Sequence, residues 1–137
     1  MKKILVLCTG NSCRSQMAEG YLQFFAKDKA AVYSAGIETH GVNEKAIAAM
    51  KQDGIDISKN TSNNVEEYRK MDFDFVITVC DHAKEACPFF PSDAKKIHHN
   101  FPDAAKANGD DAEVMQEFMR VRNMIKKYCR SFIADYV

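Results

Sequence analysis

The stretch that decides the fold is LVLCTGNSCRSQMAEGYL, residues 5–22. An apolar run over residues 3–8 ends at Cys8 and is typical of a central parallel strand that is covered on both faces. Small polar residues follow, and from Ser15 onward apolar residues recur at intervals of three and four, which predicts a helix. A strand that leads through a glycine-containing turn into a helix indicates an α/β domain.

The rest of the chain alternates between strand and helix patterns. Strands are predicted over residues 31–35, 73–80 and 95–99, and helices over 43–52, over 65–71 and from Asp110 to the end. In the last helix Asp110 and Glu113 form a capping pattern, and apolar residues then follow one face for about seven turns. We therefore predict an α/β three-layer sandwich with a four-stranded parallel sheet, flavodoxin-like or Rossmann-like.

Length and charge limit the possible partners. A chain of 137 residues is expected to form a single domain, 1–137, with a sizeable core. Lys+Arg and Asp+Glu balance at 19 each, without a long block of one sign, so we expect a small ligand and neither nucleic acid nor a membrane. The start, MKKILVLC, has too short an apolar run for a signal peptide, which favours a cytoplasmic protein.

The cysteines stand at positions 8, 13, 80, 87 and 129. In a reducing compartment such a set is not a disulfide framework. Cys8 and Cys80 both fall where a predicted parallel strand ends, so we expect them to face one crevice. Cys129 lies on the apolar stripe of the last helix and is expected in the core.

The loop between Cys8 and Arg14 is suited to hold an oxyanion. Its turn can aim successive backbone N–H groups inward, and the following helix adds the positive end of its dipole. Arg14 can grip two oxygens, while the same groups are expected to lower the pKa of the Cys8 thiol and make it a nucleophile. Ser15 is expected to donate a hydrogen bond to that sulfur. The predicted anion-binding residues are Thr9, Gly10, Asn11, Ser12, Cys13 and Arg14.

These residues carry a family resemblance. CTGNSCRS followed by MAEG resembles the active-site loop of the low-molecular-weight protein tyrosine phosphatase fold, and within it is most similar to the thioredoxin-coupled arsenate reductases. The resemblance extends through SAG at 34–36, GIDIS at 54–58, the segment VITVCDHAKEACP, FPDAAKA and the final helix. Gln16 stands where the phosphatases usually have proline, and their Asp-Pro acid is missing from the sequence, which favours the reductase branch.

The resemblance implies a relay of three thiols. Cys8 attacks arsenate, Cys80 then attacks Cys8 and releases arsenite, and Cys87 finally attacks Cys80 and frees Cys8. Thioredoxin would reduce the remaining Cys80–Cys87 disulfide, with no bound cofactor. Phosphate or sulfate are expected to compete with arsenate, and a monomer is expected.

The segment between the last two relay cysteines carries a prediction of its own. If residues 80–87 were helical, their Cα atoms would be ~10 Å apart, whereas a disulfide requires about 4.4 to 6.8 Å. We therefore expect a loop or an unwinding segment there, and a difference between oxidised and reduced forms over residues 80–95.

The resemblance also points to a general acid. Asp103, in HNFPDAAKA, stands where the reductases usually have an Asp-Asp-Pro run, and we assign it to protonate the departing oxygen. Pro102 before it and Ala104 after it depart from that pattern. A turn aspartate with no catalytic role is the alternative.

A metal is not expected. Zinc binding by Cys80, His82, Cys87, His98 and His99 is an alternative, but their spacing lacks tight Cys pairs. Some reductases of the family bind potassium through groups that correspond to Asn11, Glu19, Ser34 and residue 63, where this chain has the uncharged Asn63.

Two other functions stay open. A small phosphatase would need Cys8, Arg14 and an aspartate, with the other cysteines incidental. An oxyanion sensor without turnover would need no leaving-group acid.

Overall fold

The protein is described by a computed structural model over residues 1–80 and 94–137. Its sheet has four parallel strands in the order β2-β1-β3-β4. The strands are β1 Lys2–Cys8, β2 Ala30–Gly36, β3 Phe75–Thr78 and β4 Lys95–His98. The described helices are α1 Arg14–Ala26, α2 Glu44–Gln52 and α3 Asp111–Tyr136, with 3-10 turns at Val65–Tyr68 and Ala104–Lys106.

The predicted four-stranded parallel sheet is confirmed, and two predicted elements are shorter than expected. The strand expected over residues 73–80 is limited to Phe75–Thr78, where it pairs with both neighbours. Phe73 contacts the rings of Tyr33 and Tyr68 instead, with centroids 5.7 and 6.3 Å away. The helix expected over 65–71 is a single 3-10 turn, capped by Asn64.

The core lies on both faces of β1. All residues from Ile4 to Cys8 are buried, as predicted for a central strand. Helix α1 contacts β1, β2 and α3. Asp110 caps α3 by accepting from the Glu113 N–H, as expected. The buried residues of α3 are Phe118, Val121, Ile125, Cys129, Phe132 and Ile133.

Three residues of the predicted apolar stripe of α3 are only partly buried or exposed. Val114 and Tyr128 are half-buried, and Tyr136 is exposed at the last turn. Cys129 is fully buried in the core, as predicted, with its sulfur 3.7 Å from the Ala18 carbonyl oxygen. Within residues 1–80 and 94–137, no helix is long and apolar enough to cross a membrane.

Candidate active site

The loop between β1 and α1 is held from its outer side. Three of its carbonyls accept hydrogen bonds from backbone N–H groups of the segment 38–43 that follows β2. Because C=O and N–H point in opposite directions across a trans peptide, outward carbonyls direct the next N–H groups inward. The donor-acceptor pairs are Glu38 to Thr9 at 2.9 Å, His40 to Gly10 at 3.0 Å and Asn43 to Ser12 at 3.0 Å.

Asn11 fixes the shape of this loop. It is fully buried and adopts a positive φ of 46°. Its Nδ2 donates to Ser15 Oγ at 2.8 Å and to Ser34 Oγ at 2.9 Å, and its Oδ1 accepts from the Asn63 N–H at 2.7 Å. The described hydrogen bonds include none from Ser15 to the Cys8 sulfur, so the expected donation is not seen; Ser15 Oγ accepts from Asn11 Nδ2.

Arg14, the first residue of α1, connects the loop to the segment after β4. Its Nη1 donates to the Phe101 carbonyl at 3.0 Å, and its Nη2 lies 3.7 Å from Asp103 Oδ2. Asp103 also accepts from the Ala105 N–H at 3.1 Å, so it caps a 3-10 turn and faces Arg14 at the same time.

The loop forms the floor of a cleft of about 210 Å³. Arg14 and Asp103 both line it, with side chains only 13% and 24% exposed. A guanidinium beside inward-facing backbone N–H groups can bind a tetrahedral anion. The lining residues are Cys8, Thr9, Gly10, Ser12, Cys13, Arg14, His40, Asp103 and Ala105.

Cys8 and Cys80 lie side by side at the carboxyl ends of β1 and β3. The two strands are paired, and both cysteines are buried, 4% and 3% exposed. The Cys80 thiol acts on the pKa of the Cys8 thiol, and the Thr9 hydroxyl lies 3.2 Å from the Cys80 sulfur. The crevice that the sequence predicted for these two residues is therefore present.

The pKa of the Cys8 thiol is raised, against the lowered value we expected. The hydrogen bond with Cys80 is the largest cause and burial the second, and together they outweigh the opposing effects of Arg14 and the Thr9 N–H. Burial and the nearby Asp103 raise the pKa of Cys13 to about 12, in keeping with a packing residue.

Known proteins resemble this chain over almost its full length. The sequence matches the family model for low molecular weight phosphotyrosine protein phosphatase over residues 3–136. The chain belongs to this family. An arsenate reductase of Halalkalibacterium halodurans is 50% identical and one of Bacillus subtilis 46%, each alignment covering 96% of this chain and 94% of the relative. A solved arsenate reductase in the phosphate binding state is 34% identical, with a TM-score of 0.84 and full coverage of both chains.

Part of the predicted site lies outside the described residues. Cys87 and His82 lie in the segment 81–93, which is not described. The predictions of a loop or unwinding segment over residues 80–87, and of a difference between oxidised and reduced forms over 80–95, therefore also fall outside the described residues. Among residues 1–80 and 94–137, no group of three or more His, Cys, Asp or Glu side chains could hold a metal ion. His98 Nδ1 lies 2.7 Å from the Thr78 hydroxyl, and the His99 ring stacks on Tyr128 at 4.5 Å.

The potassium site known from some members of the family does not fit the residues here. Asn60 Nδ2 donates to Glu19 Oε2 at 2.7 Å, so an amide donor already occupies that carboxylate oxygen. The side chain of Asn63 is bound to Thr61 at 2.6 Å and to Glu67 at 3.2 Å. With the Asn11 side chain also committed, the four predicted groups do not present converging free oxygens.

His40 was not expected in the site. No sequence motif points to a role for this residue, yet its ring lines the cleft beside Gly10. A signal was present in the topology: β2 is the parallel neighbour of β1, so the segment that follows β2 emerges at the same edge of the sheet as the anion loop.

Proposed function

We propose that this protein is an enzyme that reduces arsenate to arsenite, using Cys8, Cys80 and Cys87 as a thiol relay. The observation that carries the proposal is that Cys8 and Cys80 lie buried at the carboxyl ends of two paired strands, beside an anion-binding loop whose Thr9 hydroxyl contacts the Cys80 sulfur. Reduction of As(V) to As(III) needs two electrons, and two thiols that become a disulfide supply two. The arsenate reductases that resemble the chain over nearly its whole length support the same conclusion.

The anion-binding part of the site would hold arsenate above Cys8. Inward N–H groups of the loop, the amino end of α1 and Arg14 would bind three of its oxygens. Since phosphate has the same shape and charge, we expect phosphate to compete, and sulfate as a further tetrahedral anion.

In the first step, the Cys8 sulfur would attack arsenic and form an S–As bond while one As–O bond breaks. The Cys8 thiol proton would pass, with Asp103 as the general acid, to the departing oxygen of the bound hydrogen arsenate dianion. That oxygen already carries the proton of hydrogen arsenate, so it leaves as water. Asp103 lines the same cleft as Cys8 and lies 3.7 Å from Arg14, which supports this role.

In the second step, Cys80 would attack the Cys8 sulfur. An S–S bond forms, the S–As bond breaks, and its electron pair stays on arsenic, which is thereby reduced and released as arsenite. The position of both cysteines at the carboxyl ends of paired strands supports this attack, because it brings the two thiols to one crevice.

The last step rests on the family resemblance. Cys87 would attack Cys80, free Cys8 and leave a Cys80–Cys87 disulfide for thioredoxin to reduce, so that no bound cofactor is required. A role in the cytoplasm in arsenic detoxification follows from this chemistry.

A phosphatase is the second candidate, because the family model itself describes phosphotyrosine phosphatases. Cys8, Arg14 and Asp103 would suffice for it, with water releasing a phosphoryl group from Cys8. The contact of Cys80 with Cys8 has no task in that reaction.

The test is arsenate-dependent NADPH oxidation with thioredoxin and its reductase. Wild type should turn over repeatedly, while Cys80→Ser and Cys87→Ser should lose sustained turnover and keep any cleavage of an aryl phosphate. Cys129→Ala is the matched control, since this cysteine lies in the core and should retain the activity. Rapid aryl phosphate cleavage without any response to arsenate would establish the phosphatase instead.

A further inference from the structure

Three of the residues that line the cleft lie outside the anion loop. They are His40, from the segment after β2, and Asp103 and Ala105, from the segment after β4. In-line attack by Cys8 places the departing oxygen opposite the sulfur, on the side of the anion that faces away from the buried Cys8.

The His40 ring is seated on the backbone of the anion loop. A Cβ placed on Gly10 would lie 3.1 Å from the ring Cγ and 3.3 Å from Cδ2, so the ring uses the space that a side chain at position 10 would fill. The His40 N–H also donates to the Gly10 carbonyl at 3.0 Å. Ring and loop are therefore fixed to each other.

Glu38 holds the far end of the ring. Its Oε2 lies 2.7 Å from His40 Nε2, and the Glu38 N–H is bound to the Thr9 carbonyl, so the carboxylate is itself anchored to the loop. The two side chains are 62% and 57% exposed, which places the pair at the rim of the cleft and not at its floor.

We propose that His40, oriented by Glu38, is a specificity-determining wall that restricts the cleft to free tetrahedral oxyanions over their organic esters. The inference rests on the proposed function and adds to it the class of substrate. In free arsenate or phosphate the departing oxygen is a small oxo or hydroxyl group. In an ester the same oxygen carries an organic substituent, which needs space that the His40 ring takes up beside Gly10.

The test of this wall is the dissociation constant of inorganic phosphate and that of phenylphosphonate, each measured by calorimetry. Phenylphosphonate represents an ester because it carries an organic group, and it is not cleaved during the measurement. A steric wall of this kind changes the affinity ratio of two ligands by about tenfold or more. Wild type should therefore bind inorganic phosphate at least about tenfold more tightly than phenylphosphonate. H40A should bring the two affinities to within about threefold, chiefly by tighter binding of phenylphosphonate. E38A, which leaves the ring in place without its anchor, should shift the ratio in the same direction by less.

Thr39→Ala is the matched control, since Thr39 is an exposed neighbour that does not line the cleft. If H40A and T39A both kept the wild-type ratio, or if wild type bound the two anions equally, the wall would be refuted. If wild type preferred phosphate over phenylphosphonate but did not turn over arsenate, the reductase proposal would be overturned and the wall would stand. If wild type bound neither anion, the site would not be an oxyanion site and this inference would fall with it.

Discussion

At the scale of the residue, the chemistry depends on how two thiols influence each other. The sequence placed a cysteine next to inward-facing N–H groups and an arginine, which predicted a stabilised thiolate. The structure adds Cys80, whose thiol acts together with burial to raise the pKa of Cys8 where the local motif predicted a lowered one. A partner 72 positions away cannot be inferred from the local motif, although the strand pattern had placed both cysteines at one edge.

This coupling can be measured at Cys8 itself. Cys80→Ala should lower the pKa of Cys8, because it removes the hydrogen bond that is the largest cause of the raised value. The pH profile of Cys8 alkylation by iodoacetamide, followed on the Cys8 peptide by mass spectrometry, should move to lower pH. Cys129→Ala should leave the profile in place, and an unchanged or higher Cys8 pKa in Cys80→Ala would contradict this view of the pair.

At the scale of the element, the site depends on the close approach of β2 to the anion loop. A Cβ at Gly36, the last residue of β2, would lie 2.5 Å from the Glu38 carbonyl oxygen, 2.7 Å from the Asn11 nitrogen and 2.8 Å from the Thr9 oxygen. The Asn11 and Thr9 atoms belong to the backbone of the anion loop, and Glu38 belongs to the segment that is hydrogen-bonded to it. None of these atoms can move without a change in the conformation of the loop.

Gly36→Ala should therefore destabilise the protein and weaken anion binding. Overpacking of this kind costs about 1–3 kcal/mol, which urea unfolding would detect. Gly20→Ala is the matched control within α1: its Cβ would meet the flexible end of Met50 at 2.8 Å, and alanine favours a helix by about 0.5–1 kcal/mol over glycine. Equal losses of stability in both variants would show that the loop does not require a glycine at position 36.

Sequence patterns predicted which helices and strands are present better than they predicted the residues at which each one begins and ends. Helix α3 and strand β1 were predictable because long periodic or continuous apolar runs bury one definite surface. The 3-10 turn at Val65–Tyr68 was not predictable, because a single capped turn and the first turn of an α-helix have the same capping residues and apolar spacing. Asp103 was assigned from the family pattern, and its contact with Arg14 depends on the path of the loop after β4, which no local pattern predicts.

At the scale of the whole molecule, the order β2-β1-β3-β4 brings the separate parts of the site together. The central strands deliver Cys8 and Cys80 to adjacent positions, the segment after β2 brings His40 and Glu38, and the segment after β4 brings Asp103. A parallel sheet places all these carboxyl ends at one edge, so residues distant in sequence share one cleft. The sequence predicted this gathering for the cysteines and missed it for His40.

The central claim is that arsenate is reduced by formation of a disulfide between Cys8 and Cys80, and a single turnover of Cys87→Ser tests it most directly. With Cys87 removed, the relay should stop after its second step. We expect one arsenite per protein molecule and, by peptide mapping without reduction, a Cys8–Cys80 disulfide. Arsenite formed without that disulfide, or no arsenite while Cys8 remains a free thiol, would contradict the account.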